Sequence, residues 1–314
     1  MLWSLLGIVV GLAVLAYAAD QFVMGAARIA ARLRLSTVLI GAVVVGFGTS
    51  APEMVVSGLA AAQGSLDISI GNIVGSNIAN LTLVLGAAAL VVPIVVGSPT
   101  IRREVPLSLV AMITLALVVQ NGLTTVEGIG LLIALVVFLT WIIVSSRGGD
   151  EELSAEVEDL LTGEPAPLPP EVLRTLLGLA FTVGAAQLLV TSAVAIAERF
   201  GVDQGFVGLT LVAIGTSLPE LATSMQAARR RDTDLIIGNL LGSNIFNSLA
   251  VAGVAALVAA PGQSPDPTLT GRAIVVMLAT GALATFAMTS GRRVVRYEGA
   301  LLLIVWMATL PLLA

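Results

Sequence analysis

Two stretches of the chain carry nearly the same motif. Residues 48–80 read GTSAPEMVVSGLAAAQGSLDISIGNIVGSNIAN, and residues 215–247 read GTSLPELATSMQAARRRDTDLIIGNLLGSNIFN. The two stretches are separated by 167 positions throughout, without a gap, and 17 of their 33 positions are identical. Agreement at one fixed offset indicates an internal duplication. The sequence therefore predicts a protein built from two related halves.

The composition around these motifs is that of a membrane protein. Of the 314 residues, 57% are hydrophobic and only 11% are charged, whereas a soluble domain carries about 25% charged residues. A transmembrane helix needs about 20 mostly apolar residues. Ten such stretches predict an all-α membrane protein with ten transmembrane helices, near residues 2–19, 37–62, 69–96, 104–120, 124–145, 172–198, 205–228, 235–260, 272–289 and 298–313.

The two motifs occupy equivalent spans of two five-helix halves. Because five is odd, the second half must enter the membrane from the opposite face, so the halves form an inverted repeat. Secondary transporters have this architecture, with the substrate at the repeat interface. We expect a first repeat over 1–145, an acidic, proline-containing linker over 146–170 and a second repeat over 171–314.

The arginines predict the orientation of the chain. When loops are assigned to alternate faces, 13 of the 15 arginines fall on one face, and only Arg199 and Arg272 fall on the other. Positively charged loops mark the cytoplasmic face. The linker is therefore predicted to be cytoplasmic, with both termini outside.

The composition also excludes several classes of function. The chain has no cysteine and no histidine, and all its basic residues are arginine, so thiol, zinc and histidine-based catalysis are excluded and no enzyme is expected. A net charge of −5 gives no reason to expect nucleic acid as a partner. The expected partners are cations and the lipid bilayer, with the single chain as the functional unit and no cofactor.

The first part of each motif places an acid beside a helix break in the middle of a span. Pro52 and Pro219 cannot donate a backbone hydrogen bond and interrupt the helix, and a broken helix at membrane depth is tolerated where it lines a cavity or is packed in protein. Glu53 and Glu220 follow these prolines. A charge at the bilayer centre costs about 2.5–3.5 kcal/mol on insertion scales, so two acids at equivalent positions are better explained as ion ligands than as a protonated structural pair.

The second part of each motif adds amides and hydroxyls. Asn72, Ser76 and Asn80 are spaced four residues apart and share one helix face, and the second copy repeats this spacing. Glycine pairs such as Gly71 and Gly75 allow close helix packing. For Asn77 and its equivalent Asn244, structural hydrogen bonding competes with ion contact. Carboxylate, amide, hydroxyl and carbonyl oxygens are the ligands that calcium takes, six to eight at a time.

These residues resemble a known family. GTSAPE with GNIVGSNIAN, and GTSLPE with GNLLGSNIFN, resemble the paired alpha repeats of the cation/calcium exchanger superfamily, and of the prokaryotic sodium/calcium exchangers in particular. The resemblance implies a central site ringed by Glu53, Asn80, Glu220 and Asn247. It also implies supporting ligands at Thr49, Ser50, Ser76, Thr216, Ser217 and Ser243, with main-chain oxygens near Gly46 and Ala213.

The function that the resemblance implies is exchange of Na⁺ for Ca²⁺ by alternating access. Both second motifs end in Asn, whereas an Asp there is associated with potassium dependence in some members, so potassium transport is not expected. A proton/calcium antiporter, in which Glu53 and Glu220 exchange protons for the metal, is the alternative. An ion channel is disfavoured because a filter normally comes from a ring of like segments around an open pore.

Overall fold

The computed structural model describes residues 2–32, 50–121, 123–145, 168–231, 233–260 and 262–313, and these are almost entirely helical. The helices of the first half are α1 (Leu2–Arg32), α2 (Ala51–Ala62), α3 (Leu66–Val91), α4 (Ser98–Arg102), α5 (Glu104–Val118) and α6 (Thr125–Ser145). Those of the second half are α7 (Leu168–Phe200), α8 (Gln204–Thr216), α9 (Leu218–Arg230), α10 (Thr233–Val258), α11 (Leu269–Ser290) and α12 (Arg296–Leu313).

The length and apolar character of these helices confirm an all-helical, membrane-type protein. Among the described residues, six helices are long and apolar enough to cross a membrane, namely α1, α3, α7, α10, α11 and α12, and the bent pair α8 and α9 adds a seventh. A 26-residue helix such as α3 is about 39 Å long, compared with about 30 Å of bilayer hydrocarbon. A described helix lies in each of the ten apolar stretches, but the ten-span inverted arrangement stays a prediction.

Prolines account for two boundaries that differ from the sequence prediction. Helix α3 ends at Val91 rather than near residue 96, because Pro93 disfavours the helical conformation in the residue before it. The chain then forms the short strand β1 (Ile94–Val95), which pairs antiparallel with β2 (Arg293–Val294). Helix α7 begins at Leu168, a few residues earlier than predicted, because Pro169 and Pro170 fall in its first turn, where no backbone donor is needed.

The helices pack around two hydrophobic clusters. The larger cluster joins α3, α5, α6 and α9 to α12. The smaller one packs the long helices α1 and α7 against α2 and α8. Large apolar side chains on the outer surface remain exposed, for example Leu117 at 70% and Phe286 at 68%. An apolar exterior around a packed interior is the pattern of a helical bundle that lies in lipid.

Close packing between the halves depends on two glycines of the first motif. A Cβ atom built on Gly71 would lie 2.5 Å from the backbone oxygen of Gly205, and one on Gly75 would overlap the backbone oxygen of Leu209. Only glycine allows α3 and α8 to approach this closely, as the small-residue spacing predicts. The contact places the second part of the first motif, which lies on α3, directly against α8 of the second half.

Candidate ion-binding site

The helix breaks predicted from the two prolines are present where the structure describes them. Ser217 separates α8 from α9, which are bent by 40° relative to each other. Ser50 precedes α2 with almost the same backbone, at φ −93° and ψ 7° compared with φ −84° and ψ 6° for Ser217. In both cases the proline falls in the first turn of the following helix. The duplicated sequence therefore produces a duplicated backbone at this point.

Both acids lie in the first turn of a helix and are completely buried. Glu53 belongs to α2 and Glu220 to α9, and neither has measurable exposure to solvent. The amino end of a helix favours a negative charge. Glu53 accepts a hydrogen bond from Ser217, three residues before Glu220, so the two acids lie at adjoining points of the two halves. Such a pair is suited to a cation that both carboxylates can contact.

Each carboxylate accepts one long hydrogen bond from a serine. Ser217 donates its hydroxyl to Oε1 of Glu53, and Ser243 donates to Oε1 of Glu220, both at 3.4 Å. Oε2 of each glutamate is buried without a hydrogen-bond partner among the described protein atoms. Each acid therefore keeps one oxygen with its full capacity to bind a cation.

The second part of each motif ends at a local widening of the helix. Asn80 begins a π-helical turn over Asn80–Val84, and Asn247 begins the equivalent turn over Asn247–Val251. Turns of this kind often occur at functional sites. Asn80 donates its amide to Oδ1 of Asn244 at 3.0 Å, which leaves its own Oδ1 without a partner. Neither polar atom of the Asn247 side chain has a partner among the described residues.

The unpartnered oxygens together form a set of cation ligands. A buried polar atom without a partner costs about 1–3 kcal/mol, so a cluster of them is retained where a ligand compensates this cost. Within the described chain there is no group of three or more Asp, Glu, His or Cys side chains that could hold a metal ion, so the two carboxylates are supplemented by neutral oxygens. The buried side-chain oxygens without a hydrogen-bond partner in these motifs belong to Ser50, Glu53, Ser69, Ser76, Asn77, Asn80, Glu220 and Asn247.

The remaining predicted ligands either have hydrogen-bond partners of their own or lie outside the described residues. Thr49 and Gly46 fall outside the described residues. The carbonyl of Ala213 accepts the backbone N–H of Ser217 at 3.0 Å and also the hydroxyl of Thr216 at 3.4 Å, so an ion would compete with Thr216 for its second lone pair. Thr216 is fully buried and donates its hydroxyl to Oδ1 of Asn72 at 3.0 Å.

Two serines that the sequence analysis did not select take part in this network. Ser57 accepts from the amide of Asn72 at 2.9 Å, and its equivalent Ser224 accepts from Asn239 at 3.3 Å. Asn72 thus connects α2 and α3 to Thr216 of the second half. The signal was present in the sequence, because Ser57 and Ser224 are identical at the repeat offset and lie four residues after the glutamates.

Asn77 and Asn244 join the two halves by hydrogen bonds. Asn77 donates to the hydroxyl of Ser248 at 3.3 Å, and Asn244 donates to the backbone oxygen of Asn77 at 3.5 Å. Asn244 also accepts the amide of Asn80 through its Oδ1. These contacts favour the structural role for Asn244, whereas Oδ1 of Asn77 is buried without a hydrogen-bond partner among the described residues and stays open to ion contact.

The chain is similar to known proteins over almost its whole length. The family model for sodium/calcium exchanger proteins matches residues 3–144 and 171–313. The chain is 43% identical over 313 residues to the putative antiporter CaxA of Alkalimonas amylolytica, covering 96% of each protein. It is 37% identical to the inner membrane protein YrbG of Escherichia coli, covering 96% of this chain and 95% of that one.

A solved structure resembles the whole molecule. The sodium-calcium exchanger NCX_Mj, in crystals soaked with Na⁺ and Sr²⁺, superposes with a TM-score of 0.66 at 29% sequence identity. The superposition covers 99% of this chain and 98% of that one. The similarity therefore extends over both halves and is not limited to the duplicated motifs.

Proposed function

Because this chain belongs to the family of sodium/calcium exchanger proteins, we propose that it is a secondary active antiporter that exchanges Na⁺ for Ca²⁺ by alternating access, without transporting K⁺. The observation that carries this proposal is the buried pair Glu53 and Glu220, each with one unpartnered oxygen and both surrounded by neutral oxygens. Two carboxylates balance the charge of one calcium ion, and hard oxygens are the ligands that Ca²⁺ and Na⁺ prefer.

The proposed ligands form two groups. Glu53, Asn80, Glu220 and Asn247 contact calcium at the centre of the site, and their unpartnered oxygens support this assignment. Flanking sodium ions are bound by hydroxyls and main-chain oxygens around this centre. These flanking ligands are Thr49, Ser50, Ser76, Thr216, Ser217 and Ser243, with the main-chain oxygens near Gly46 and Ala213.

The proposed architecture is an inverted repeat of ten spans. The equal backbone angles at Ser50 and Ser217, and the π-helical turns that begin at Asn80 and Asn247, support a structural duplication. We assign the first repeat to 1–145, the linker to 146–170 and the second repeat to 171–314. The arginine distribution supports a cytoplasmic linker and outward termini, and the name of the inner membrane protein YrbG supports a prokaryotic inner membrane.

The deciding experiment is calcium uptake into proteoliposomes that contain the purified protein. Vesicles loaded with Na⁺ should take up Ca²⁺ when diluted into sodium-free buffer, and a pH gradient without sodium should give no uptake. A protein with Glu53→Gln and Glu220→Gln is the matched control, because it keeps the size of both side chains and removes the charges. Uptake that a pH gradient drives, and that sodium does not affect, would identify a proton/calcium antiporter instead.

The charge of the site predicts that the exchange is electrogenic. With both glutamates ionised and both second motifs ending in Asn, the central site carries a charge of −2, which one Ca²⁺ neutralises. If three Na⁺ exchange for one Ca²⁺, as the family resemblance implies, each cycle moves one net charge. A membrane potential then contributes about 2.3 kcal/mol per 100 mV. Uptake measured with valinomycin and potassium should change with the clamped voltage, while K⁺ itself has no further effect.

A further inference from the structure

A cavity at the ends of α3 and α9 is lined by arginines. It has a volume of about 500 Å³ and lies between the end of α3, the end of α9 and the start of α12. Val91 and Pro93 contribute apolar walls, and Arg229, Arg231 and Arg296 contribute guanidinium groups. Within the described part of the chain, no acidic side chain lines it. The cavity therefore concentrates positive charge against an apolar wall.

One of these arginines occupies a backbone position that favours glycine. Arg231 adopts a left-handed backbone with φ 62°, and the equivalent position of the first copy, Gly64, is also left-handed at φ 89°. Glycine is the usual residue for this conformation at a helix end. The first copy follows that preference, whereas the second copy has arginine there at a conformational cost.

Arg296 is also placed against local preference. It lies in the first turn of α12, where the positive end of the helix dipole disfavours a cation. Its Nη2 donates to the backbone oxygen of Val91, the last residue of α3, at 3.3 Å. Arg229 is in the last turn of α9, so the carboxyl ends of α9 and α3 favour the positive charges of Arg229 and Arg296. Together with Arg231 they place three positive charges at one cavity without a lining acid, and a bound anion would balance them.

We propose that this cavity binds the phosphate headgroup of an anionic phospholipid from the leaflet that faces the arginine-rich side. Guanidinium groups bind phosphate oxygens through paired hydrogen bonds. Basic pockets between transmembrane helices on the cytoplasmic side are typical sites for anionic headgroups. The apolar walls at the ends of membrane-type helices fit the adjoining acyl chains. The site joins α9, which begins near Glu220, to α3, which carries Asn80.

The test is to titrate the purified protein in detergent micelles with phosphatidylglycerol. The thermal unfolding midpoint is measured at each lipid concentration. The wild-type midpoint should rise in a saturable manner, and phosphatidylcholine should have no such effect. Since each arginine near an anionic surface contributes about a factor of five, Arg229→Gln with Arg231→Gln should weaken the apparent affinity roughly thirtyfold. The matched control is Arg230→Gln with Arg293→Gln, which removes the same charge from positions that do not line the cavity, and its affinity should be unchanged.

A second variant separates binding from folding. Arg231→Gly suits the left-handed backbone, as Gly64 does in the first copy, so its unfolding midpoint without lipid should be equal to or higher than that of the wild type. Its affinity for phosphatidylglycerol should nevertheless fall about fivefold. Equal weakening in the cavity and control variants, or no stabilisation by phosphatidylglycerol at all, would overturn the proposal. Stabilisation by inorganic phosphate but not by the lipid would assign the cavity to a soluble anion and overturn the lipid site.

Discussion

The two copies of the motif share a backbone but differ in their hydrogen bonds. In the first copy, Glu53 accepts from Ser217, which belongs to the other copy, whereas Glu220 accepts from Ser243 of its own copy. The equivalent donors, Ser50 and Ser76, have hydroxyls without a partner among the described residues. Identical residues therefore repeat the local fold, and the way the halves meet decides which serine reaches which glutamate.

This difference has a consequence for a transporter with an inverted repeat. Alternating access in such folds moves one repeat against the other around a fixed site. If the two halves exchange their conformations, the hydrogen bonds should exchange too. Glu220 would then accept from Ser50, and Glu53 from Ser76. The asymmetry of the two copies is thus expected to be a property of one transport state and not of the sequence.

The largest expected contrast concerns the inverted relationship itself. Gln63, at the end of α2, and Arg230, at the end of α9, are equivalent positions separated by the repeat offset, and both are exposed. Because the natural chain contains no cysteine, a single cysteine at either position can be labelled without interference. An impermeant thiol reagent added to intact cells should label Gln63→Cys completely and Arg230→Cys only after permeabilisation. Labelling of both from the same face would disprove the inverted repeat.

The next contrast concerns the two carboxylates. Unit charges about 4 Å apart interact by about 4 kcal/mol at the effective dielectric of a protein near its surface, which corresponds to a roughly thousandfold change in affinity. Glu53→Gln and Glu220→Gln should each nearly abolish calcium transport while the protein remains folded. Calcium uptake and the unfolding midpoint should be measured together. Normal transport by both variants would disprove the central site.

The sequence predicted the parts of this site that depend on local chemistry. The prolines of both motifs predicted the break at Ser217 and the helix start after Ser50, and the four-residue spacing predicted a common face for Asn72, Ser76 and Asn80. The sequence did not predict which serine contacts which glutamate, because that depends on the packing of α3 against α8. It also did not predict the bridge from Asn72 to Thr216, since the two residues are 144 positions apart.

A third contrast concerns the asparagines of the two hydrogen-bond networks. Asn72 is fully buried and connects Ser57 to Thr216 across the two halves, whereas Asn239 is part-buried and, among the described residues, bonds to Ser224 and the backbone of Glu220 of its own copy. Asn72→Ala removes the buried hydrogen bonds to Ser57 and Thr216 and should lower the free energy of unfolding by about 2 kcal/mol. Asn239→Ala should cost about 1 kcal/mol. Denaturant titration of both variants checks the order, and equal losses would mean that the bridge between the halves adds no stability.

The smallest expected effect tests the exchange of hydrogen bonds directly. A hydroxyl that donates to a carboxylate contributes about 1.5–3 kcal/mol at good geometry, and at 3.4 Å we expect the lower end of this range, which is roughly a tenfold change in equilibrium. Ser217→Ala and Ser243→Ala should destabilise the state described here, while Ser50→Ala and Ser76→Ala should destabilise the opposite state. In proteoliposomes of uniform orientation, the first pair should shift the apparent calcium affinity in one direction when it is measured from a given face, and the second pair should shift it in the other. Shifts of the same sign in all four variants would show that the serines act only as ligands, and the difference between the two copies would then carry no information about the transport cycle.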